Sequence, residues 1–376
     1  MIDSDSGALG RETLRRVLGW LWTIVGPFLG LLLIFALFWW LTLDSGAFFR
    51  PYNLRLIAVQ SVIVGTAALG LTMIMIAGGI DLSVGSAVAL VTVVVASLAS
   101  GREFDLGAPF GRPLAFSIQP VLLPLAMLGG VVLGGLCGLF NGTLITRLGV
   151  VPFIITLGTM KVFRGLAKWE SGSTSIYVPE KAKPWWFNQL LATDFRPPDG
   201  LLRILEQAPG VFGRVLPEVA RLAPGVWLLL ALSLLIALML RFSLLGRYTY
   251  AVGSNEATAR LCGLRVKGIK LVVYALAGLL IGLAGVLQFT YLGGTGDPTT
   301  ADGLELMVIA AVVIGGGSLA GGEGTVLGTL IGVLIISVLN NGCVHAGIPN
   351  ATQDVIIGAI IIGAVALDRL RRRSLA

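Results

Sequence analysis

Charge is what this chain of 376 residues has least of: Asp, Glu, Lys and Arg make up 12% of it, where a soluble domain carries about 25%. The deficit runs the whole length, and the mean hydropathy is +0.90. That excludes a soluble globular domain and marks a polytopic membrane protein. Histidine is nearly missing: His345 stands alone, so imidazole catalysis has one candidate and no visible partner. The three cysteines, Cys137, Cys262 and Cys343, are scattered, with no C-x-x-C spacing. Such a pattern supports neither a zinc site nor a disulfide framework. The phosphate loop G-x-x-x-x-G-K-[ST] is absent. GGTG at 293–296 and GGEG at 321–324 lack the strand–loop–helix setting of nucleotide loops. The chain has no means of hydrolysing ATP by itself. Paired catalytic groups are not visible either, so no enzyme activity, metal or cofactor is expected.

Apolar runs fill the chain instead. Ten are long enough, or nearly so, to cross a bilayer: 17–43, 54–78, 84–100, 119–145, 151–168, 225–243, 271–291, 304–321, 324–342 and 353–367. The first is longer than a signal-peptide core and no small-residue cleavage site follows it, so it reads as a retained span. Lys and Arg near span ends stay on the inner side. Arg15 and Arg16 precede the first run, and Arg369 and Arg371–Arg373 follow the last, which predicts both termini inside. The same rule puts the strip Arg241–Lys270 inside, where six bases face one acid, Glu256. The longest connection, Trp169–Pro224, falls outside and carries no net charge. Arg50 and Arg55 lie on the outer side in this scheme and count mildly against it. The net charge of +7 sits mostly at the central strip and the tail. Orientation and anionic lipid explain it, and nucleic acid is not an expected partner.

The expected organisation is an all-α transmembrane bundle of about ten spans. A tail covers 1–16 and spans one to five cover 17–168. An extracytoplasmic loop covers 169–224. Spans six to ten cover 225–367, with an inner loop at 244–270, and a basic tail covers 368–376. In the outer loop, Trp185, Trp186 and Phe187 read either as an interfacial aromatic belt or as a docking surface for an extracytoplasmic partner.

Glycine is abundant at 51 residues, about twice the usual ~7%. Gly130, Gly134 and Gly138 recur at four-residue spacing, which lets another helix approach closely. GGIDLSVG at 78–85 and GGGSLAGG at 315–322 share GG-x-x-L-x-x-G between adjacent apolar runs. Paired interruptions of this kind often mark broken helices beside a solute path.

Few polar residues lie at span depth. Asp81 reads either as the N-cap of span three or as a group in the solute path, and the two are compatible. Ser83 follows it. Asn141, Glu305, Asn340 and Asn341 complete the candidates for the path, although Glu305 is also explained as a helix-start acid and the Asn pair as a C-cap. Arg164 has no acid partner in its own span and reads as snorkelling to the interface. The sparseness disfavours a proton- or sodium-driven carrier. Between Gly253 and Gly263, a cap at Ser254 or Asn255, Glu256 in the first turn and Gly263 at the end predict about two turns of helix. It reads either as a rigid lever for a partner or as an amphipathic connector on the lipid surface.

Five stretches together resemble one family: 69–86, 138–167, 246–270, 306–335 and LNNG at 339–342. They are similar to the permease subunits of ribose/xylose-type ABC sugar importers. The resemblance implies that fold, a homodimer around a central pathway, and a cytoplasmic ATPase that binds the ATP. It also implies a periplasmic or lipid-anchored sugar-binding protein and a place in the bacterial inner membrane. It further implies that the 253–263 helix couples to the ATPase, through Asn255, Glu256, Ala257, Ala259, Arg260 and Gly263. The chain departs from the family in the Trp- and Pro-rich connection 169–224. The expected cargo is a monosaccharide. A nucleoside or other small polar solute is the alternative, and a stand-alone channel or secondary transporter is the alternative of another class.

Overall fold

The computed structural model describes residues 26–43, 46, 48–101, 103–105, 115–117, 122–207 and 212–375. The expected tail 1–16 and the start of the first run lie outside the described residues. Fourteen helices make up the described chain. They begin with α1 (Gly26–Leu41), α2 (Pro51–Ile76), α3 (Val84–Ser100), α4 (Leu123–Leu148) and α5 (Pro152–Ser171). Two short helices follow, α6 (Asp199–Glu206) and α7 (Phe212–Ala220), and then α8 (Pro224–Phe242), α9 (Leu244–Ser254) and α10 (Glu256–Leu261). The last four are α11 (Val266–Tyr291), α12 (Leu304–Ile314), α13 (Val326–His345) and α14 (Asn350–Leu375). Two antiparallel strand pairs are added: β1 (Glu103–Asp105) with β2 (Ala115–Ser117), and β3 (Ile176–Tyr177) with β4 (Thr295–Gly296).

Local chemistry sets the boundaries. Proline opens α2, α4, α5 and α8 at the first helical turn, where its missing N–H costs nothing. Glycine closes α3, α4 and α5: Gly101, Gly149 and Gly172 sit at φ 68°, 66° and 63°, a region open to a residue without Cβ. Five helices are long and apolar enough to cross a membrane: α2, α4, α8, α11 and α13. Shorter apolar helices occur in α1, α3, α12 and α14.

The run 304–321 is not one helix. α12 stops at Ile314, and a glycine-rich turn leads to α13. α13 runs on to His345, so Asn340 and Asn341 lie inside it and cap nothing. The basic segment after 367 continues α14 to Leu375. In the loop 169–224, Trp185 is exposed but Phe187 is fully buried, 5.7 Å from the Phe289 ring. Phe187 therefore belongs to the core and not to an aromatic belt.

α2 packs on α8, α11, α12 and α13, and α3 on α4, α5 and α11, and both are largely buried. α11 lies closest to α4. In lipid there is little hydrophobic drive between helices, so close packing of small residues holds them together. Here Gly134 and Gly138 of α4 meet Gly278 and Gly282 of α11 backbone to backbone; a Cβ at any of the four would strike the facing main chain. Gly130 faces Val91 and Val95 of α3. The outward faces of α4 and α8 carry Leu125, Leu128, Leu136, Leu230, Leu234 and Leu238, suited to lipid tails.

Gly134→Val should separate α4 from α11 and destabilise the bundle by at least about 1–3 kcal/mol, the usual cost of overpacking. Thermal unfolding in detergent measures this, with Gly158→Val as control, since a Cβ at Gly158 meets open space.

Candidate functional site

Three groups of polar residues sit on this frame. The first fills the break between α2 and α3. After Ile76 the chain turns back at Gly78 (φ 78°) and runs unwound to Ser83. Asp81 is 1% exposed. Its Oδ1 accepts from the Ser83 N–H at 2.8 Å and from the Ser83 hydroxyl at 2.6 Å. Asn141 of α4 donates to Ser83 Oγ at 2.8 Å and more weakly to Asp81 Oδ2 at 3.4 Å. Ser83 is the N-cap residue of α3, and Asp81 binds that residue and no first-turn N–H. Asp81 therefore forms an Asx turn ahead of the helix. Asp81, Ser83 and Asn141 are all sealed inside the protomer. The Tyr274 hydroxyl and Asn141 Oδ1 are buried beside them without a hydrogen-bond partner among the described residues.

The second group lies at the end of the bundle away from Arg241–Lys270. Asn53 and Asn341 exchange amide hydrogen bonds at 2.8 and 2.9 Å. Asn53 also donates to the Phe48 carbonyl at 2.9 Å, and His345 Nε2 lies 2.9 Å from its Oδ1. A cavity of about 360 Å³ opens next to this cluster, lined by Gln60, Gln288, Ser337, Asn340, Asn341 and His345 among others. Its polar lining is amide, hydroxyl and imidazole, with no carboxylate, Lys or Arg. Glu305 opens α12 as the sequence suggests, with Oε2 buried.

Arg164 does not snorkel. It donates to the carbonyls of Pro298 and Thr300 at 2.9 and 2.7 Å and lies 3.7 Å from Asp302. It satisfies the unwound backbone between β4 and α12, which carries acceptors that no helix uses. The Thr300 hydroxyl in turn accepts from Gln288 of the cavity at 2.9 Å.

The third group is the basic end. Between Gly253 and Gly263 stands one helix, α10, as the sequence suggests, and α9 precedes it. α9 is capped by Ser243, whose hydroxyl accepts from Gly246 N–H at 3.0 Å. α10 is capped by Asn255, whose Oδ1 accepts from Thr258 N–H at 2.9 Å. Gly263 follows at φ 81°. Glu256 binds Lys270 of α11 at 2.6 Å and Arg260 one turn along. Ala259 is buried, while Ala257, Arg260 and Leu261 face outward, Leu261 at 89% exposure. Gly253, just ahead of α10, touches both helix breaks. A Cβ there would strike the Ile76 carbonyl and the Gly322 N–H, which already bond to each other at 2.9 Å. Tyr250 adds a hydrogen bond to the Gly324 carbonyl at 2.8 Å.

Asn53 and Gln60 escape the sequence reading because an amide inside an apolar run carries no charge to draw notice. Their cross-helix partners appear only in three dimensions.

Broken helices packed inside a multi-pass bundle, a cavity lined partly by amide and hydroxyl groups at one end and a capped helix at the basic end define a membrane transport subunit. The comparisons agree. The family described as branched-chain amino acid transport system / permease component matches residues 53–365. The ribose import permease protein of Bacillus subtilis is 36% identical over 345 residues, covering 92% of each chain. The D-allose transport system permease protein of Escherichia coli K12 is 34% identical, over 93% of this chain and 92% of its own. The L-arabinose ABC transporter permease protein of Azospirillum brasilense is 31% identical, over 95% and 91%. No solved structure matches significantly. The chain belongs to this family of bacterial ABC-importer permeases: a multi-pass transport subunit without cofactor or catalytic role, with ATP handled by a partner ATPase.

The Lys270 hydrogen bond and the Arg260 charge hold the Glu256 carboxyl below its ordinary value of 4.5. A lowered folded pKa stabilises above the ordinary value and is lost as pH falls through the lowered one. Amide exchange of α10, compared between wild type and Glu256→Gln, should differ at neutral pH and converge in acid below 4.5.

Proposed function

We propose that the chain moves a monosaccharide through a homodimer of itself, driven by two ATPases that dock on α10. The observation that carries this is the placement of α10. It is capped at its start, exposed on one face and fixed at its base on α11 through Glu256–Lys270. Gly253, in the last turn of the preceding α9, abuts the end of α2 and the turn before α13. A push on α10 therefore reaches three helices, two of them adjoining breaks in the bundle. The alternative of a connector lying on lipid leaves those contacts without purpose.

Ten helices serve as passages: α1 to α5, α8 and α11 to α14. α12, at 11 residues or ~16 Å, completes its crossing only with the unwound 297–303. An even number puts both termini on one side, and the basic strip fixes that side as the cytoplasm. A binding protein then delivers solute at the opposite end, where the neutral cavity opens.

The family description names amino acids, while the ribose, allose and arabinose permeases name sugars. A zwitterion asks for paired charges. The cavity offers amides and hydroxyls, which suit a neutral polyol. Asp81, Ser83 and Asn141 act as a latch that holds the unwound segment, and Asn340 and Asn341 face the solute.

Reconstitution with its ATPase and binding protein should give ATP-dependent uptake of a labelled pentose or hexose. Glu256→Ala with Arg260→Ala should lower uptake per ATP by about tenfold, equal to ~1.4 kcal/mol, with the chain still inserted. Unchanged coupling would refute the docking role. Flux through the permease alone would favour a stand-alone transporter.

A further inference from the structure

A cavity of about 530 Å³ opens at the basic end, between the turn joining α4 to α5 and the start of α11, with α10 beside it. Four cations line it: Arg147 from the last turn of α4, Arg260 from α10, and Lys267 and Lys270 from α11. One carboxylate, Glu256, stands against them. Both its oxygens are taken, Oε1 by Arg260 and Oε2 by Lys270. Arg147 and Lys267 have no acidic partner among the described residues. The backbone adds to the same sign. α11 starts in the cavity wall, at Val266, with no side-chain cap and no acid in its first turn. The N-terminus of so long a helix carries a partial positive charge and unpaired N–H groups.

Cations gathered around one hollow repel one another, and an anion between them relieves the repulsion. The volume is that of a small-molecule site. A guanidinium fork matches phosphate oxygens two at a time, and an ammonium serves them as a point charge. The same cavity has an apolar lip, since Leu148 and Val151 line it and are 61% and 62% exposed. Basic side chains beside exposed apolar ones at a span end suit a phospholipid headgroup with its chains running outward. Gly78, at the first helix break, is also part of the lining.

We infer that this cavity binds a phosphate group through Arg147, Lys267 and the open start of α11. The group comes from an anionic phospholipid of the surrounding leaflet or from a soluble phosphate compound. Once bound, it touches α4, α11 and the residue where α2 breaks, and so ties the first break to the basic end. The site is separate from the neutral cavity at the opposite end, which has no Lys or Arg in its lining. It is also separate from Ala257 and Leu261 on the exposed side of α10, which do not line it. Nothing in this inference depends on the cargo, the ATPase or a second copy.

The full chain, purified in an uncharged detergent, provides the test. Native mass spectrometry counts bound short-chain phosphatidylglycerol and phosphatidylcholine, and calorimetry follows inorganic phosphate. Phosphatidylglycerol should bind saturably. Arg147→Gln with Lys267→Gln should weaken it by about tenfold or more, the loss of two charge-assisted contacts. Both side chains are exposed, so the variant should unfold at the wild-type temperature when no ligand is present. Arg241→Gln with Arg247→Gln removes two bases of the same end that do not line the cavity, and affinity should stay as in the wild type. Binding of phosphatidylglycerol without inorganic phosphate assigns the lipid as the source. Binding of inorganic phosphate, with the same loss in the first variant, assigns a soluble compound. No saturable binding of either probe overturns the site. So does an equal loss in both double variants, or phosphatidylcholine held as tightly as phosphatidylglycerol.

Discussion

Backbone that is not helical has no water to bind inside a bilayer, and the whole arrangement follows from how this chain meets that demand. It breaks its helices twice at depth, at 77–83 and at 297–303. Each break is lined by side chains that take over the lost hydrogen bonds. Asp81 serves the first with Ser83 and Asn141; Arg164 serves the second by binding two carbonyls. Both breaks are possible because the helices that follow them are packed in, α3 against α4, α5 and α11, and α12 against α2, α13 and α14. The glycine contact of α4 with α11 keeps that wrapping tight.

The first break also meets the glycine-rich turn between α12 and α13. Gly253 lies against Ile76 and Gly322, so the start of one interruption and the turn after α12 share a single junction at the basic end. The resemblance between GGIDLSVG and GGGSLAGG thereby gains a spatial counterpart, whatever its history. α9 ends at that junction, and α10, one residue further on, is bound to α11 through Glu256 and Lys270.

Much of this was legible in the sequence. The apolar runs marked the passages, and 84–100 coincides with α3 residue for residue. The caps at Asn255 and Gly263 followed from residue type alone. What was not legible had a common cause: uniform hydropathy hides the end of a helix when the next residues are glycine. That is why 304–321 read as one span and the Asn pair at 340–341 as a cap. Arg164 misled for another reason. Its partners are main-chain carbonyls 134 and 136 residues away, which no local pattern announces.

The strand pair β3–β4 carries a consequence of its own. It stitches the long lobe 169–224 to the chain only seven residues ahead of α12, at 297–303. Phe187 of the same lobe is wedged against Phe289 near the end of α11. The lobe is thus no loose canopy. A shift of the lobe therefore pulls directly on 297–303, the stretch that Arg164 holds and that leads into α12.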